Sequence, residues 1–195
     1  MNEKSNRDRL IDVGVKLMHR HGYSATGVSE ILDKADLPKG SFYHHFANKE
    51  DFAAATIERY ATREREHAAA ILSDLKVSPL KRLKRYFSDL VTIYGQSGVI
   101  SGCLLGRFSL DLAAENGQLR KRVAGSFDHW QTTIATVLNQ AIAQRELPSN
   151  TNAEDLAGFL LNSWQGALVR SQAERSDDAL ETFMRVAFDI LLKPQ

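Results

Sequence analysis

Cys103 is the residue of this sequence best suited to covalent chemistry, since it is the single cysteine of the chain. It lies in the stretch SGCLLGRF, residues 101–108, between two glycines and beside apolar neighbours. A thiol reacts as its thiolate, which positive charge and the N–H groups of a helix N-terminus stabilise. A lone cysteine is otherwise a small apolar side chain that fills a gap in the core. The glycines, a helix expected to begin near Leu104 and Arg107 one turn later favour the reactive interpretation.

A second group of chemically active residues lies between Lys39 and Lys49, and its members suit phosphates and base edges. The candidates are Lys39, Ser41, Tyr43 and His44, with Gly40 leaving room for a phosphate backbone and Lys49 at the start of the next helix. Phe42 and Phe46 lie four residues apart, so they anchor the same helix inward while its polar residues project outward. This pattern predicts a short helix that presents a polar face to nucleic acid.

The elements that position these residues are helices, because apolar residues recur at spacings of three and four without sustained alternation of period two. A first helix through Leu10 and Leu17 is expected to end at Gly22, a second to span residues 28–35 with Thr26 as its N-cap, and a third to span about residues 39–46. Asp36-Leu37-Pro38 breaks the chain between the two short helices, and Asn48 caps a fourth helix. This is the helix-turn-helix pattern, whose second short helix enters the major groove.

Longer helices follow beyond residue 75, and the predicted fold is therefore all-α with two parts. Ser78 and Pro79 open one helix, Gly95, Gly98 and Gly102 break it, another begins near Leu104, and a long one stops by Pro148. The change in helix length separates an N-terminal DNA-binding head, residues 1–50, from a larger helical part, residues 51–195.

The segment TGVSEILDKADLPKGSFYHHFANKEDF, residues 26–52, resembles the signature of the TetR family of transcriptional regulators, with PKGSFYHHF-x-NKE as its specific portion. The resemblance implies a dimer that binds a double-stranded DNA operator, usually as a repressor, and is released by a small-molecule inducer in the ligand-binding and dimerisation domain. It places the DNA contacts on Thr26, Lys39, Gly40, Ser41, Tyr43, His44 and Lys49. Ser29 to Leu32 and Asp36-Leu37 depart from the smaller residues and the turn glycine that the family more often has.

The stretch GVISGCLLGRFSLDLA, residues 98–113, is similar to a stretch in the branch of this family that represses N-ethylmaleimide reductase. That branch responds to reactive electrophiles and oxidants, and its matching cysteine is the sensor, so the resemblance implies a sensor role for Cys103. This chain has no lysine between Lys121 and Lys193, which removes a nearby amine from the last helices. Arg170 or Arg175 is the alternative source of positive charge.

A reversible apolar ligand, with Cys103 as a core residue, is the alternative inducer. Aromatic residues suited to an apolar pocket are Phe87, Tyr94, Phe108, Phe127, Trp130 and Trp164, with His129 or Asn162 supplying polarity. Each of these residues is also an ordinary core candidate, and the two inducer models are compatible because a pocket gathers an electrophile beside a thiol.

A homodimer is expected because two recognition helices must meet successive major-groove turns, about 34 Å apart. The last two helices carry continuous apolar faces from Leu156 to Leu168 and from Leu180 to Leu192. Two such helices from each subunit would make a four-helix bundle. The same stripes would equally suit burial in the subunit's own core.

Composition narrows the classes of protein further. A net charge of +1 excludes a protein that coats nucleic acid by bulk electrostatics. One cysteine allows no intramolecular disulfide, the N-terminus MNEKSNRDRLID lacks a secretory signal, and glycines interrupt the uncharged run over residues 90–106. A cytoplasmic protein without a membrane span is expected.

His44 and His45 project about 100 degrees apart without an acidic or cysteine cluster, so neither a metal nor a cofactor is expected.

Catalysis is a remote alternative. Ser78 and Lys81 have the spacing of a serine nucleophile and its lysine base, but Ser78 is expected to cap a helix and the accompanying motifs are absent. Cys103 with His129 would give a cysteine-dependent enzyme, for which no orienting acid is evident. A purely structural interaction protein is the third class, distinguished by whether a dimer protects a specific operator.

Overall fold

The computed structural model describes residues 5–95, 102–112 and 117–193, and these residues form helices without strands, as predicted. The helices are α1 Asn6–His21, α2 Val28–Ala35, α3 Ser41–His45, α4 Lys49–Leu72, α5 Pro79–Gly95, α6 Leu104–Asp111, α7 Gly117–Ala143, α8 Ala153–Glu174 and α9 Asp178–Val186. The last helix continues as a π-helical turn, Ala187–Leu191. Gly98, one of the predicted helix breakers, lies outside the described residues.

Several helix ends form as their residue types predict. Gly22 ends α1 at φ +85°, a conformation that L side chains rarely adopt. The Asn48 Oδ1 atom accepts the N–H of Asp51 at 2.8 Å as α4 begins. Ser5 caps α1 reciprocally, since its hydroxyl accepts the N–H of Asp8 at 3.1 Å and donates to the Asp8 carboxylate. These hydrogen bonds satisfy N–H groups that the first turn of a helix leaves without partners.

Two of the predicted helix details are wrong. Gly27, in an extended conformation, occupies the N-cap of α2, while the Thr26 hydroxyl donates to the Gly22 carbonyl at 2.7 Å. The third helix spans only Ser41–His45, because Pro38 opens a turn that the N–H of Ser41 closes at 2.9 Å. Cap prediction fails at Thr26 because its hydroxyl finds a carbonyl four residues earlier.

The described chain divides into two compact units. Residues 1–64 and 103–126 form the first unit, and residues 65–102 and 127–195 form the second. The division falls inside α4, which differs from the expected boundary at residue 50. The boundary inside α4 reflects how the residues pack, whereas the expected boundary separates DNA binding from ligand binding. The functional division at residue 50 therefore stays a prediction.

The core of the first unit lies between α1, α2, α3 and α4. Fully buried side chains there include Leu10, Met18, Ile31, Phe42 and Phe52. Arg59 of α4 forms ion pairs with Asp8 and Asp12 of α1. Hydrogen bonds to Ser5 and Arg59 lower the pKa of Asp8. Apolar burial and ion pairs thus join α1 to α4.

An aromatic cluster and a buried arginine organise the second unit. The Trp164 ring centroid lies 5.5 Å from that of Phe87 and 5.4 Å from that of Phe183. Arg82 is buried, and its guanidinium donates to the Leu72 carbonyl and to the Gln140 Oε1 atom. A cation at the C-terminal carbonyls of α4 is favoured by the helix dipole. Within the described residues, no helix has the length and apolar character needed to cross a membrane.

Candidate DNA-binding surface and sensor cysteine

Three phenylalanines hold α3 in place. Phe42 and Phe46 are buried as predicted, and their ring centroids lie 5.2 Å and 5.0 Å from that of Phe52 on α4. The Phe42 and Phe46 centroids are themselves 5.5 Å apart. Such tilted and edge-on ring contacts add to the free energy of apolar burial. The aromatic base therefore fixes which face of α3 points outward.

The outward face of α3 and its preceding turn carries five of the predicted DNA contacts. Lys39, Gly40 and His44 are exposed and Ser41 is half-buried. Tyr43 is 68% exposed, although its ring rests edge-on against Phe42. Apart from Gly40 and its two chain neighbours, no described residue has an atom within 4 Å of a Cβ placed on Gly40, so the backbone there is open to close approach. The structure brings these five residues together on one exposed segment.

The two remaining predicted DNA contacts have different surroundings. Thr26 is fully buried, which does not support a direct contact between its side chain and DNA. The Lys49 ammonium donates to the Ser24 carbonyl at 3.2 Å and lies 4.6 Å from the Tyr23 ring centroid. Burial lowers the pKa of Lys49, and the nearby Asp111 carboxylate opposes that effect. A phosphate contact by Lys49 stays a prediction.

The C-terminal end of α6 contacts the loop between α1 and α2. The N–H of Tyr23 donates to the Asp111 Oδ2 atom at 2.6 Å, and the Tyr23 ring centroid lies 6.0 Å from that of Phe108. A Cβ on Gly22 would overlap the Asp111 carboxylate. The residue at 22 must therefore be glycine for both conformation and space. The sequence signals Gly22 as a helix end, but it contains no signal that Asp111 lies against it.

Cys103 occupies the N-cap position of α6 and is 5% exposed. Its sulfur makes no capping hydrogen bond to the first turn of α6, unlike the arrangement expected from the sequence. The Tyr60 hydroxyl of α4 instead donates to the Sγ atom at 3.7 Å. Arg107, exposed on α6, has its guanidinium beside Gly22. Tyr60 lies 43 residues away in the chain, so no local motif identifies it as a neighbour of the cysteine.

The two arginines named as sources of positive charge are both exposed. Arg170 forms an ion pair with Glu174 one turn later on α8, at 2.7 Å. Arg175 follows the end of α8 in a left-handed conformation, with φ +52°. Neither observation supplies a contact with Cys103.

The predicted pocket residues fall into three groups. Phe87, Tyr94 and Trp164 are buried together in the second unit, with the Tyr94 and Trp164 centroids 6.1 Å apart, and Trp130 of the same unit is also buried. Phe108 belongs to the first unit and packs beside Tyr23. Phe127 is half-buried, whereas His129 and Asn162 are exposed. The exposed positions do not support His129 or Asn162 as polar groups inside a cavity.

Several buried polar atoms of the second unit have no hydrogen-bond partner among the described residues, and two of them belong to fully buried residues of α8. These are the Trp164 Nε1 atom and the Ser171 Oγ atom, both fully buried. They lie seven positions apart on α8, which places them on one face of the helix. Buried polar groups of this kind normally have a partner, so they are better candidates than His129 for the polar part of a ligand site.

An apolar groove of 270 Å³ runs between α8 and α9. Phe159, Gly166 and Ala167 of α8 and Phe183, Ala187 and Leu191 of the last helix line it. Phe159 is 53% exposed, and Val169 and Ile190 are exposed on the same two helices. Exposed apolar residues around an apolar groove are typical of a protein interface.

Comparison with known proteins assigns both parts of the chain. Residues 10–56 match the family described as bacterial regulatory proteins, tetR family, and residues 79–187 match the family described as tetracyclin repressor-like, C-terminal domain. The HTH-type transcriptional repressor DhaR of Mycobacterium sp. strain GP1 is 32% identical over 187 residues, which are 95% of this chain and 92% of DhaR. The HTH-type transcriptional repressor NemR of Escherichia coli K12 is 29% identical over 196 residues, 98% of this chain and 96% of NemR.

Solved structures agree with these matches. The reduced form of E. coli NemR superposes with a TM-score of 0.89 and 26% identity, covering 95% of this chain and 96% of that chain. The regulatory protein TetR from Rhodobacter sphaeroides superposes with a TM-score of 0.88 and 33% identity, covering 93% and 96%. The matched families and relatives are transcriptional regulators, which argues against the enzyme alternative. This chain belongs to the TetR family of bacterial transcriptional regulators, as a DNA-binding protein and not an enzyme.

Proposed function

We propose that this regulator is a homodimeric repressor that binds its operator through α3 and is released when an electrophile or oxidant modifies Cys103. The observation that carries the proposal is the position of α6, with Cys103 at one end and Asp111 against Tyr23 at the other. The similarity to NemR, whose solved structure is described as a reduced form, supports a thiol-based signal.

The chemical step is addition of the Cys103 thiolate to an electron-poor alkene. A carbon–sulfur bond forms, the alkene electrons move to the adjacent carbonyl as an enolate, and the enolate takes a proton from water. The adduct enlarges a side chain that is 5% exposed. Interiors are closely packed, so the added atoms must displace neighbours such as Tyr60 and the first turn of α6.

The movement of α6 is the link to DNA binding. Its Asp111 end holds the Tyr23 N–H in the loop that leads from α1 to α2. Lys49 also donates to this loop, at Ser24. A shift of α6 thus changes the support of the helix-turn-helix. Reducing operator occupancy a hundredfold requires a preference of about 2.7 kcal/mol for the released state.

The homodimer interface is proposed to lie on α8 and α9, over the stretches Leu156 to Leu168 and Leu180 to Leu192. The exposed apolar residues Phe159 and Leu191 beside the groove support this assignment. Burial of these faces against a second copy would remove apolar surface from water and join two recognition helices.

A reversible apolar ligand is the second candidate inducer. The observation in its favour is the pair of buried polar atoms on Trp164 and Ser171 within the second unit. Cys103 would then be an ordinary core residue. Loss of DNA binding that persists after the inducer is removed distinguishes covalent modification from this alternative.

DNA recognition by α3 is tested with DNA from upstream of the protein's own gene, at fixed salt. Tyr43→Ala is expected to raise Kd about tenfold, because a lost base-edge contact costs about 1–3 kcal/mol. Lys39→Ala is expected to reduce the slope of log K against log salt by about one, as loss of one phosphate contact does.

Leu75→Ala is the matched control, since Leu75 is 80% exposed and lies between α4 and α5. Thermal unfolding of each variant should match the parent protein. Equal operator binding by the Tyr43, Lys39 and Leu75 variants would contradict recognition through α3.

A further inference from the structure

Tyr60 stands out among the buried residues because its hydroxyl meets the sulfur of Cys103. The O–H donates to the Sγ atom at 3.7 Å, and the two residues are 6% and 5% exposed. They lie on α4 and at the start of α6, within the same compact unit. A tyrosine hydroxyl is a donor, and a cysteine sulfur is an acceptor that is far stronger as a thiolate than as a thiol.

The surroundings of the sulfur act in opposite directions on its ionisation. Burial in apolar surroundings disfavours the thiolate. The first turn of α6 supplies no hydrogen bond to the sulfur. A directed donor such as the Tyr60 hydroxyl favours the charged form to which it donates. Tyr60 therefore supplies the hydrogen bond that the N-terminus of α6 was expected to supply.

We propose that Tyr60 is a positioning residue that holds Cys103 in its reactive thiolate form through the hydrogen bond from its hydroxyl to Sγ. This inference rests on the proposed function, since it concerns the reactivity of the same thiol. It goes beyond that function by assigning the control of reactivity to α4 and not to the arginines Arg107, Arg170 or Arg175.

Two other titratable or charged side chains near Tyr60 and Cys103 are the same in the parent protein and in the Tyr60→Phe variant. His19 of α1 has its ring centroid 6.2 Å from that of Tyr60, and Arg107 extends from α6 beside Gly22. Tyr60→Phe removes the hydroxyl and retains the ring, so His19 and Arg107 contribute equally to the pH profiles of the two proteins.

The experiment measures the rate of Cys103 alkylation by iodoacetamide between pH 5.5 and pH 9.5. The chain has one cysteine, so the mass of the whole protein reports this residue alone. Loss of a hydrogen bond to a charged group is expected to reduce the thiolate fraction at pH 7 about 10- to 100-fold. Intrinsic nucleophilicity rises in partial compensation, so the alkylation rate of Tyr60→Phe should fall about 3- to 10-fold at pH 7.

The sign of the effect should reverse at alkaline pH. At a pH where both proteins hold thiolates, the Tyr60→Phe thiolate, freed of its hydrogen bond, should react faster than the parent thiolate. The midpoint of the rate profile should move upward by about one to two pH units. A packing defect that merely exposes the sulfur would instead raise the rate at every pH.

Tyr86→Phe is the matched control, because Tyr86 is buried in the second unit and its profile should equal that of the parent protein. Identical profiles for Tyr60→Phe and the parent, or a uniform increase, would overturn the proposal for Tyr60 while leaving Cys103 as a sensor. A parent thiol that does not react at any pH would overturn the proposed function itself.

Discussion

At the scale of single residues, the placement of α3 depends on how closely α1 approaches α4. A Cβ on Gly14 of α1 would overlap the ring of Phe52, which lies against Phe42 and Phe46. Gly14→Ala is therefore expected to lower the free energy of unfolding by about 1–3 kcal/mol, the usual cost of overpacking a core. Urea unfolding measures this change.

Gly125→Ala is the control for Gly14→Ala. Gly125 is interior to α7 and has no atom within 4 Å of an added Cβ. Alanine there should raise the free energy of unfolding by about 0.5–1 kcal/mol, because glycine is a poor helix former. If both alanine variants were stabilised to the same extent, the close approach of α1 to Phe52 would not constrain the fold.

Residue types predicted the outward face of α3 well and its surroundings poorly. Phe42 and Phe46 are buried and Tyr43 is exposed, as a helical spacing of four requires. Thr26 is a counterexample, because its burial and its bond to the Gly22 carbonyl arise from the path of the loop. Tyr60 was not predictable, since its contact with Cys103 depends on tertiary packing of α4 against α6.

At the scale of elements, α6 joins the thiol to the helix-turn-helix through Asp111. Asp111→Ala removes the acceptor of the Tyr23 N–H, at the opposite end of α6 from Cys103. Cys103 of the variant is expected to be alkylated at the parent rate. After alkylation, the variant should keep at least about a tenth of its operator affinity, whereas the affinity of the parent falls about a hundredfold. Alkylation by mass and operator binding by titration measure the two effects separately.

Ser109→Ala is the matched control on the same helix, because the Ser109 hydroxyl donates within α6, to the Leu105 carbonyl at 2.9 Å. It should respond to the electrophile as the parent does. An Asp111→Ala protein that loses operator affinity as fully as the parent would exclude the Asp111 contact as the route from α6 to DNA.

Helix ends were predictable where a local residue determines them, as at Gly22, Asn48 and Pro79. The sequence predicts a continuous apolar face from Leu180 to Leu192, and the helix that carries it changes to a π-helical turn over Ala187–Leu191. A single π-helical turn leaves no signal in a spacing of three and four residues, because it is shorter than the window over which helical periodicity is recognised. The sulfur of Cys103 was likewise assigned to the N-terminus of α6, although its hydrogen bond comes from α4.

At the scale of the whole molecule, the proposed repressor is two copies of this chain joined through α8 and α9. Phe159→Glu places a charge in the exposed apolar surface, and burial of an unpaired charge is strongly unfavourable. The variant is expected to sediment as a monomer at micromolar concentration. Its operator Kd should rise about a hundredfold or more, because a single recognition helix loses the second half-site.

Leu75→Glu is the control for Phe159→Glu, since Leu75 is exposed and lies outside the groove. It should remain a dimer with parent affinity for the operator. If the Phe159→Glu protein were also dimeric, the interface would lie elsewhere and the apolar faces would belong to the subunit core.

Release of the operator by modification of Cys103 is tested by comparing the parent protein with Cys103→Ser. Binding of the parent protein and of Cys103→Ser to upstream DNA is measured at fixed salt, before treatment with a small electrophile and after its removal. We expect the Kd of the parent to rise about a hundredfold and to stay raised after removal of the electrophile, and the Kd of Cys103→Ser to stay unchanged. Equal loss of binding by the two proteins, or full recovery of the parent once the electrophile is gone, would contradict release by modification of Cys103.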